Sequence, residues 1–334
     1  MEYRGLWFSF LDFPMLHFQS ETAFRDSLKQ ILERCAAKAI NRFIFHVHPC
    51  SDALYNSKHF PWSHLITGEQ GKTPKYDPLE ILTQEADAYD IGVDAWLNPF
   101  RVSGGSFPKS ILCNGHIALR RPELLLNVNG NLYLNPARQE VTDLLRDETA
   151  DLAKRYRLAA VQFDDYFYPT TDLSCDESDY LSSKTDLSHS DWRRNNINLF
   201  VRAIRQAVHE SRLPFGISPH GNNIKNYAQQ FADVELWMRE EGYTDFVIPQ
   251  LYYGFKPFTE EGVLVSFDRG EASVNAWLNR KKIKSQKVYY GLPAFLADDA
   301  QQNGFDSMED FFLYLKKANA DGYAVFRAES WLNR

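Results

Sequence analysis

The segment Ala160-Val161-Gln162-Phe163-Asp164-Asp165-Tyr166-Phe167-Tyr168-Pro169 ends an apolar run in two adjacent carboxylates framed by aromatic rings. β-Branched and aromatic residues favour enclosed strand positions and proline stops a ladder, so the acids are expected where a buried strand emerges at the end of a sheet. Ionised carboxylates are costly to desolvate unless they pair with a cation, hold a metal or do proton chemistry. Two side by side mark a solvated turn, a structural ion pair or a reaction centre. Side chains alternate along a strand, which puts Gln162, Asp164 and Tyr166 on one face and Phe163 and Asp165 on the other. Both acids can reach one site only if the strand bends at its end, and Asp164 is assigned to the inward set.

His46 and His48 lie two apart on another expected strand and could face one side as metal ligands beside the two aspartates. No third ligand is evident from the spacing, and buried, hydrogen-bonded histidines are the commoner arrangement. Cys35, Cys50, Cys113 and Cys175 are scattered with no CxxC or Cys/His ligand spacing, so neither zinc nor a disulfide framework is indicated. With no GxGxxG or GxxxxGK[ST] run, no nucleotide cofactor is expected. The reading assigns no metal and no cofactor.

The composition bounds the partners. The 334 residues can bury a substantial core, and 44% are hydrophobic and 24% charged, as in an ordinary water-soluble chain. Aromatic residues reach 14%, with 17 Tyr, 24 Phe and 7 Trp, an excess that suits both core filling and stacking against the C–H faces of sugars. A net charge of −7 argues against a nucleic-acid partner, which needs a basic face. No run of 18 apolar residues is present to span a bilayer, and Met1-Glu2-Tyr3-Arg4-Gly5 lacks the basic and apolar regions of a signal peptide.

The elements that must position these residues alternate along the whole chain. Strand-like segments run over 3–11, 42–48, 92–100, 159–167, 214–221, 245–253, 287–295 and 322–328, with amphipathic stretches over 21–38, 78–89, 136–156, 192–211, 231–241, 273–282 and 308–319. Asn135-Pro136 and Asp77-Pro78 each place a capping residue before proline at an expected helix start. Eight alternating units joined by right-handed crossovers predict a parallel α/β fold, a (β/α)8 TIM barrel, as one domain over residues 1–334 with long loops after the second, third and fourth strands. A doubly wound open sheet is the alternative. The closing residues Trp331 to Arg334 leave no room for an eighth helix, so another chain or a further segment is expected to cap that end.

In such a barrel the C-terminal strand ends build one shared rim. Asp12, Asp52, Tyr55, Asn98, Arg101, Asp164, Asp165, Ser218, His220, Gln250, Tyr252, Arg327, Glu329 and Trp331 would meet there.

The segments Arg4-Gly5-Leu6-Trp7, Asp52-Ala53-Leu54-Tyr55-Asn56-Ser57, Pro61-Trp62-Ser63, Ala95-Trp96-Leu97-Asn98-Pro99-Phe100-Arg101, Phe163-Asp164-Asp165-Tyr166-Phe167-Tyr168-Pro169, Gly216-Ile217-Ser218-Pro219 and Pro249-Gln250-Leu251-Tyr252 follow in an order that resembles the glycosyl-hydrolase-like ten family over nearly the whole chain. The resemblance implies a TIM barrel of bacterial origin, commonly exported, in a group with members implicated in cleaving peptidoglycan glycan strands. It implies a glycoside hydrolase acting on an oligo- or polysaccharide.

Glycosidic cleavage uses two carboxyl groups across the scissile bond. Asp164 is read as nucleophile or electrostatic stabiliser, and the proton donor is left between Asp165 and Glu329; Glu241 is a lesser candidate, at the wrong expected end of the barrel. The fifth strand carries Ser218-Pro219-His220 where a related clan places its acid, and Tyr166 fills the slot of the chitinase-like acid. Trp96, Asn98, Arg101, Gln162, His220, Gln250 and Tyr252 are read as sugar-contacting groups, with Asp52 and Tyr55 on one cleft wall. Arg101 could instead pair with Asp164 or Asp165. The competing readings are a carbohydrate-binding barrel without catalysis and a metal-dependent hydrolase using both aspartates with His46 and His48.

Overall fold

The computed structural model describes residues 2–105, 107–254, 258–260, 263–266, 273–297 and 307–333. Its core is a nine-stranded, all-parallel sheet: β1 (Tyr3–Phe8), β2 (Arg42–His48), β3 (Gly92–Leu97), β4 (Ala160–Phe163), β5 (Phe215–Ile217), β6 (Phe246–Val247), β7 (Lys287–Val288), β8 (Tyr290–Pro293) and β9 (Gly322–Phe326). The seventh expected strand is broken at Tyr289, and its two halves stand at the two edges of the sheet. β7 pairs with β6 through Lys287↔Phe246, while β8 pairs with β9 through Tyr290↔Tyr323. Tyr289 N–H donates to the Val247 carbonyl at 2.9 Å and Gly291 N–H to that of Pro249 at 2.9 Å, so the break is also the closure of the barrel. The strands stop earlier than the apolar runs suggest, because the last residues of several runs turn outward to form the mouth.

Helices α1 (Glu21–Ala37), α2 (Pro78–Asp87), α3 (Gln139–Arg155), α4 (His189–Glu210), α5 (Val234–Arg239), α6 (Val274–Leu278) and α7 (Met308–Lys317) cover the outside. The Asp77-Pro78 start is as the sequence indicates, the Asp77 carboxylate accepting from Leu79 N–H at 3.0 Å. Asn135-Pro136 is not a cap: Asn135 Oδ1 accepts from Ala137 N–H at 2.9 Å and forms a turn, after which α3 begins at Gln139. An eighth helix does exist. The short α8 (Ala328–Leu332) buries Trp331 against Phe312, with the Lys38 ammonium 4.4 Å from the indole, so the expectation of an uncapped end is corrected.

The barrel interior is filled by Tyr3, Trp7, Ile44, Trp96, Phe246, Ile248 and Tyr289. Gly216 is needed there, because a Cβ on it would stand 2.0 Å from the Phe246 ring. At the N-terminal end the fully buried Asp94 accepts from the Tyr3 hydroxyl at 2.7 Å and from Arg42 Nε at 2.9 Å. Near the other end of β2 the register with β3 slips between His46 and His48, a bulge that re-aims side chains. The loop after β3 carries an antiparallel hairpin, Leu125–Val128 with Asn131–Leu134, and the loop after β4 a short helix, Glu177–Ser183. Among the described residues no helix is long and apolar enough to cross a membrane.

Candidate active site

The C-terminal mouth of the barrel holds a cavity of about 340 Å³. The β4 ladder ends at Phe163, so Asp164 and Asp165 are freed from strict alternation and both line this cavity. Asp164 is 4% exposed. Its Oδ2 accepts from Trp96 Nε1 at 3.1 Å and from Asn98 Nδ2 at 2.6 Å, donors that β3 and its immediate extension deliver on alternate residues. Tyr166 N–H reaches Oδ1 at 3.4 Å. Burial, reinforced by the charge of Asp165, pushes the Asp164 carboxyl up to about 7 against the opposing pull of Arg101 and these donors. Asp165 is raised as well, chiefly by burial, and accepts from Gln250 Nε2 at 3.1 Å. Gln250 is itself anchored by donating to the Ser218 carbonyl at 3.0 Å. Burial thus holds both carboxyls above the ordinary aspartate range, and the charge of one bears on the titration of the other.

The walls are aromatic. His46 stacks on Trp96 with ring centroids 3.8 Å apart, and burial followed by the charge of Arg101 holds it well below the ordinary histidine range, hence neutral. Tyr252 stacks on Phe326 at 5.5 Å, and burial next to Asp165 keeps its phenol protonated. The Arg101 guanidinium lies 4.0 Å from the centre of the exposed Tyr166 ring. Just outside, His220 Nδ1 accepts from Asn222 N–H at 2.9 Å, which puts its neutral-form proton on Nε2, and the ring acts electrostatically on Asp165.

Of the residues singled out in the sequence, Trp96, Asn98, Arg101, Asp164, Asp165, Gln250 and Tyr252 are brought together on this wall. Several others are placed elsewhere. Asp52 is fully buried under the loop after β2, where it accepts from Cys50 N–H at 3.3 Å and burial raises it to about 7. The Tyr55 hydroxyl donates to Glu148 Oε1 of α3 at 2.6 Å, away from the cavity. Tyr55 ties that loop to α3, and Asp52 is bonded within the loop itself. Gln162 is fully buried in register with Trp96, inside the barrel, and neither of its amide atoms has a hydrogen-bond partner among the described residues. Glu329 lies on α8, its side chain half exposed and paired with Arg327 and its N–H donating to Asp12 Oδ1 at 2.9 Å; it does not line the cavity. Glu241 is exposed in the turn before β6.

The histidine pair is separated by the bulge. His46 faces the cavity, whereas His48 packs edge-on against Phe60 at 4.5 Å, pushed down to about 3 by burial. Among the described residues no three His, Cys, Asp or Glu side chains are grouped to hold a metal ion. Tyr166 lines the cavity on the face it was expected to share with Asp164, while Trp7, Phe10 and Phe326 were not anticipated as wall residues. The phase of the strands carried a signal for two of them, since Trp7 and Phe326 continue the inward alternation of β1 and β9.

Comparison with known proteins agrees with this architecture. The chain is 28% identical over 332 residues to glycosyl hydrolase YngK of Bacillus subtilis, covering 91% of this chain and 62% of the relative. It is 29% identical over 288 residues to glycosyl hydrolase DigH of Escherichia coli K12, covering 78% and 64%. It thus spans under two thirds of the length of each. Among solved structures, the PgaB (BpsB) glycoside hydrolase domain of Bordetella bronchiseptica superposes with a TM-score of 0.66 at 12% identity, covering all of this chain and 96% of that one, a likeness of fold. The model of the family described as glycosyl hydrolase-like 10 matches residues 2–303, and with the barrel and its mouth already in place, the chain belongs to that family.

Proposed function

We propose that this barrel hydrolyses O-glycosidic bonds of a bacterial polysaccharide, with an N-acetylhexosamine-containing glycan such as peptidoglycan as the substrate class. The reading is carried by one observation: two adjacent carboxyls, both raised by burial, line a single aromatic-walled cavity at the end of the barrel where such enzymes do their chemistry. The names of the curated relatives support it.

In this mechanism Asp164 carries the negative charge. Two donors converge on its Oδ2 and favour the ionised form, so it faces the developing oxocarbenium-like centre as nucleophile or stabiliser. Asp165, less buried than Asp164 and held by Gln250, is raised by burial and delivers its proton to the departing oxygen. The placement of Glu329 on α8 favours Asp165 over it. Asn98 Oδ1 has no hydrogen-bond partner among the described residues and is an acceptor for a hydroxyl or an acetamide N–H. Tyr252 and Trp96 supply ring surface for the sugar.

The test is the appearance of new reducing ends from peptidoglycan glycan strands or chitin oligosaccharides. Product formed by the native protein, absent in Asp164→Asn and insensitive to a chelator, supports the reading. Sugar binding without product from the native protein would make it a carbohydrate-binding barrel, and loss of activity with chelator would revive the metal-dependent alternative.

A further inference from the structure

Arg101 brings a positive charge into the cavity without a wall carboxylate at ion-pair distance, among the described residues. Its backbone is pinned: the carbonyl accepts from Ser51 Oγ at 3.0 Å and the residue bridges to Tyr133. The guanidinium is pinned too, with the Tyr166 ring covering one face at 4.0 Å. Arg42, Arg193 and Arg205 each rest on a carboxylate at ion-pair distance, whereas among the described residues no carboxylate lies within 4.0 Å of Arg101. Asp164 acts on it across a longer gap.

A neutral saccharide can be held without a full positive charge. Hydroxyls and acetamides are served by side-chain amides, of which Asn98 and Gln250 already line the same wall. A planar, stacked guanidinium is matched instead to a carboxylate, which it can grip through two parallel hydrogen bonds. The two aspartates do not veto an anion, because burial raises both carboxyls toward their neutral forms and neither lies at ion-pair distance from Arg101.

We propose that Arg101 is a specificity determinant that reads a carboxylate borne by a substrate sugar, so that the cavity selects an acidic saccharide. The proposal rests on the glycoside-hydrolase reading of the same cavity. The carboxylate can come from a uronate ring or from an acid on an ether arm such as an O-lactyl group.

The experiment uses two matched pairs of oligosaccharides, each acidic compound set against its carboxyl-reduced twin: one pair of alternating N-acetylglucosamine and glucuronate, the other of alternating N-acetylglucosamine and N-acetylmuramic acid. In the native protein kcat/KM for the acidic member of one pair exceeds that of its twin by about tenfold or more, the size expected of a charge-assisted contact. In Arg101→Gln that ratio falls to within about twofold, and Arg101→Lys, which keeps charge without the fork, lies between. Which pair shows the preference identifies the source of the carboxylate. Ratios rather than rates are compared, so a general loss of activity in the variants does not mimic the effect. Equal treatment of both twins in both pairs overturns the proposal, as does a preference that survives in Arg101→Gln. If neither twin is cleaved the hydrolase reading fails, and calorimetric Kd values for the same compounds decide the Arg101 assignment by the same criteria.

Discussion

The barrel holds inward-facing aspartates at both ends and treats them oppositely. Asp94, at the N-terminal end, is clamped by the Arg42 guanidinium and the Tyr3 hydroxyl, a closed ion network that fills the base of the barrel. Asp164, at the mouth, receives only neutral donors and sits beside a second carboxyl, and it is pushed up to about 7. The same side chain on the same sheet is paired where a cation arrives within bonding distance, and its carboxyl is raised by burial where none does. One end is closed by an ion network, and the other holds the cavity on which the proposed chemistry rests.

The contrast can be broken most sharply at Asp164. Asp164→Asn is expected to lower kcat/KM by about 10³-fold on a polysaccharide substrate while leaving the folded state intact by circular dichroism. For Asp165→Asn a loss of about 10²-fold is expected on the natural linkage, and much less on an aryl glycoside whose leaving group needs no proton. Burial raises the Asp165 carboxyl above the ordinary aspartate range, so its proton survives to higher pH than a free carboxyl's, and kcat/KM for the natural linkage should fall with rising pH more steeply than for the aryl glycoside. A natural-linkage profile flat from pH 6 to 9 would remove Asp165 from its role.

At the other end, Asp94→Asn strands the half-buried Arg42 and should cost about 2 kcal/mol of stability, read as a lowered midpoint in urea, with kcat at 25 °C nearly unchanged. Trp96→Phe deletes one of the two strong donors to Asp164 Oδ2, and about a tenfold loss in kcat/KM is expected. The smallest effect is on stability against pH. A buried carboxyl raised in the folded state binds its proton more tightly there than in the unfolded chain, so stability is greatest below the unfolded value near 4 and declines until about pH 7. Asp164→Asn should flatten part of that decline in a Tm series from pH 4 to 8; a steeper decline in the variant would reverse the sign assigned here. Asp52, also raised to about 7, maintains the remainder.

The strand positions were legible because parallel barrel strands are buried on both faces and read as continuous apolar runs, so Arg42–His48 has its expected bounds. Strand ends were not, since Asn98, Phe100 and Asp165 look like strand residues until hydrogen-bonding partners run out. That ambiguity worked in favour of the site: Asp164 and Asp165 share one cavity because β4 stops at Phe163. The bulge in β2 had no signature in residue types, so the apparent pairing of His46 with His48 was an artefact of assuming a regular pleat. The Asp52 to Tyr55 motif drew attention as chemistry but lies away from the cavity, because a phenol tied to α3 and a buried acid bonded within its own loop carry the same residue types as a catalytic pair. Glu329 fell on the right rim but is engaged by Arg327, a neighbour two residues away that only coordinates could assign.

The ring is completed by β1 lying against β9, with Leu6 opposite Val325, and by the broken seventh strand bridging what would otherwise be two loose edges. A chain emerging from the ribosome must therefore hold its opening strand in waiting, with an exposed flank, until more than three hundred later residues have been made. Nascent-chain quality control, rather than the folded barrel, is where lesions in β8 or β9 should be felt first.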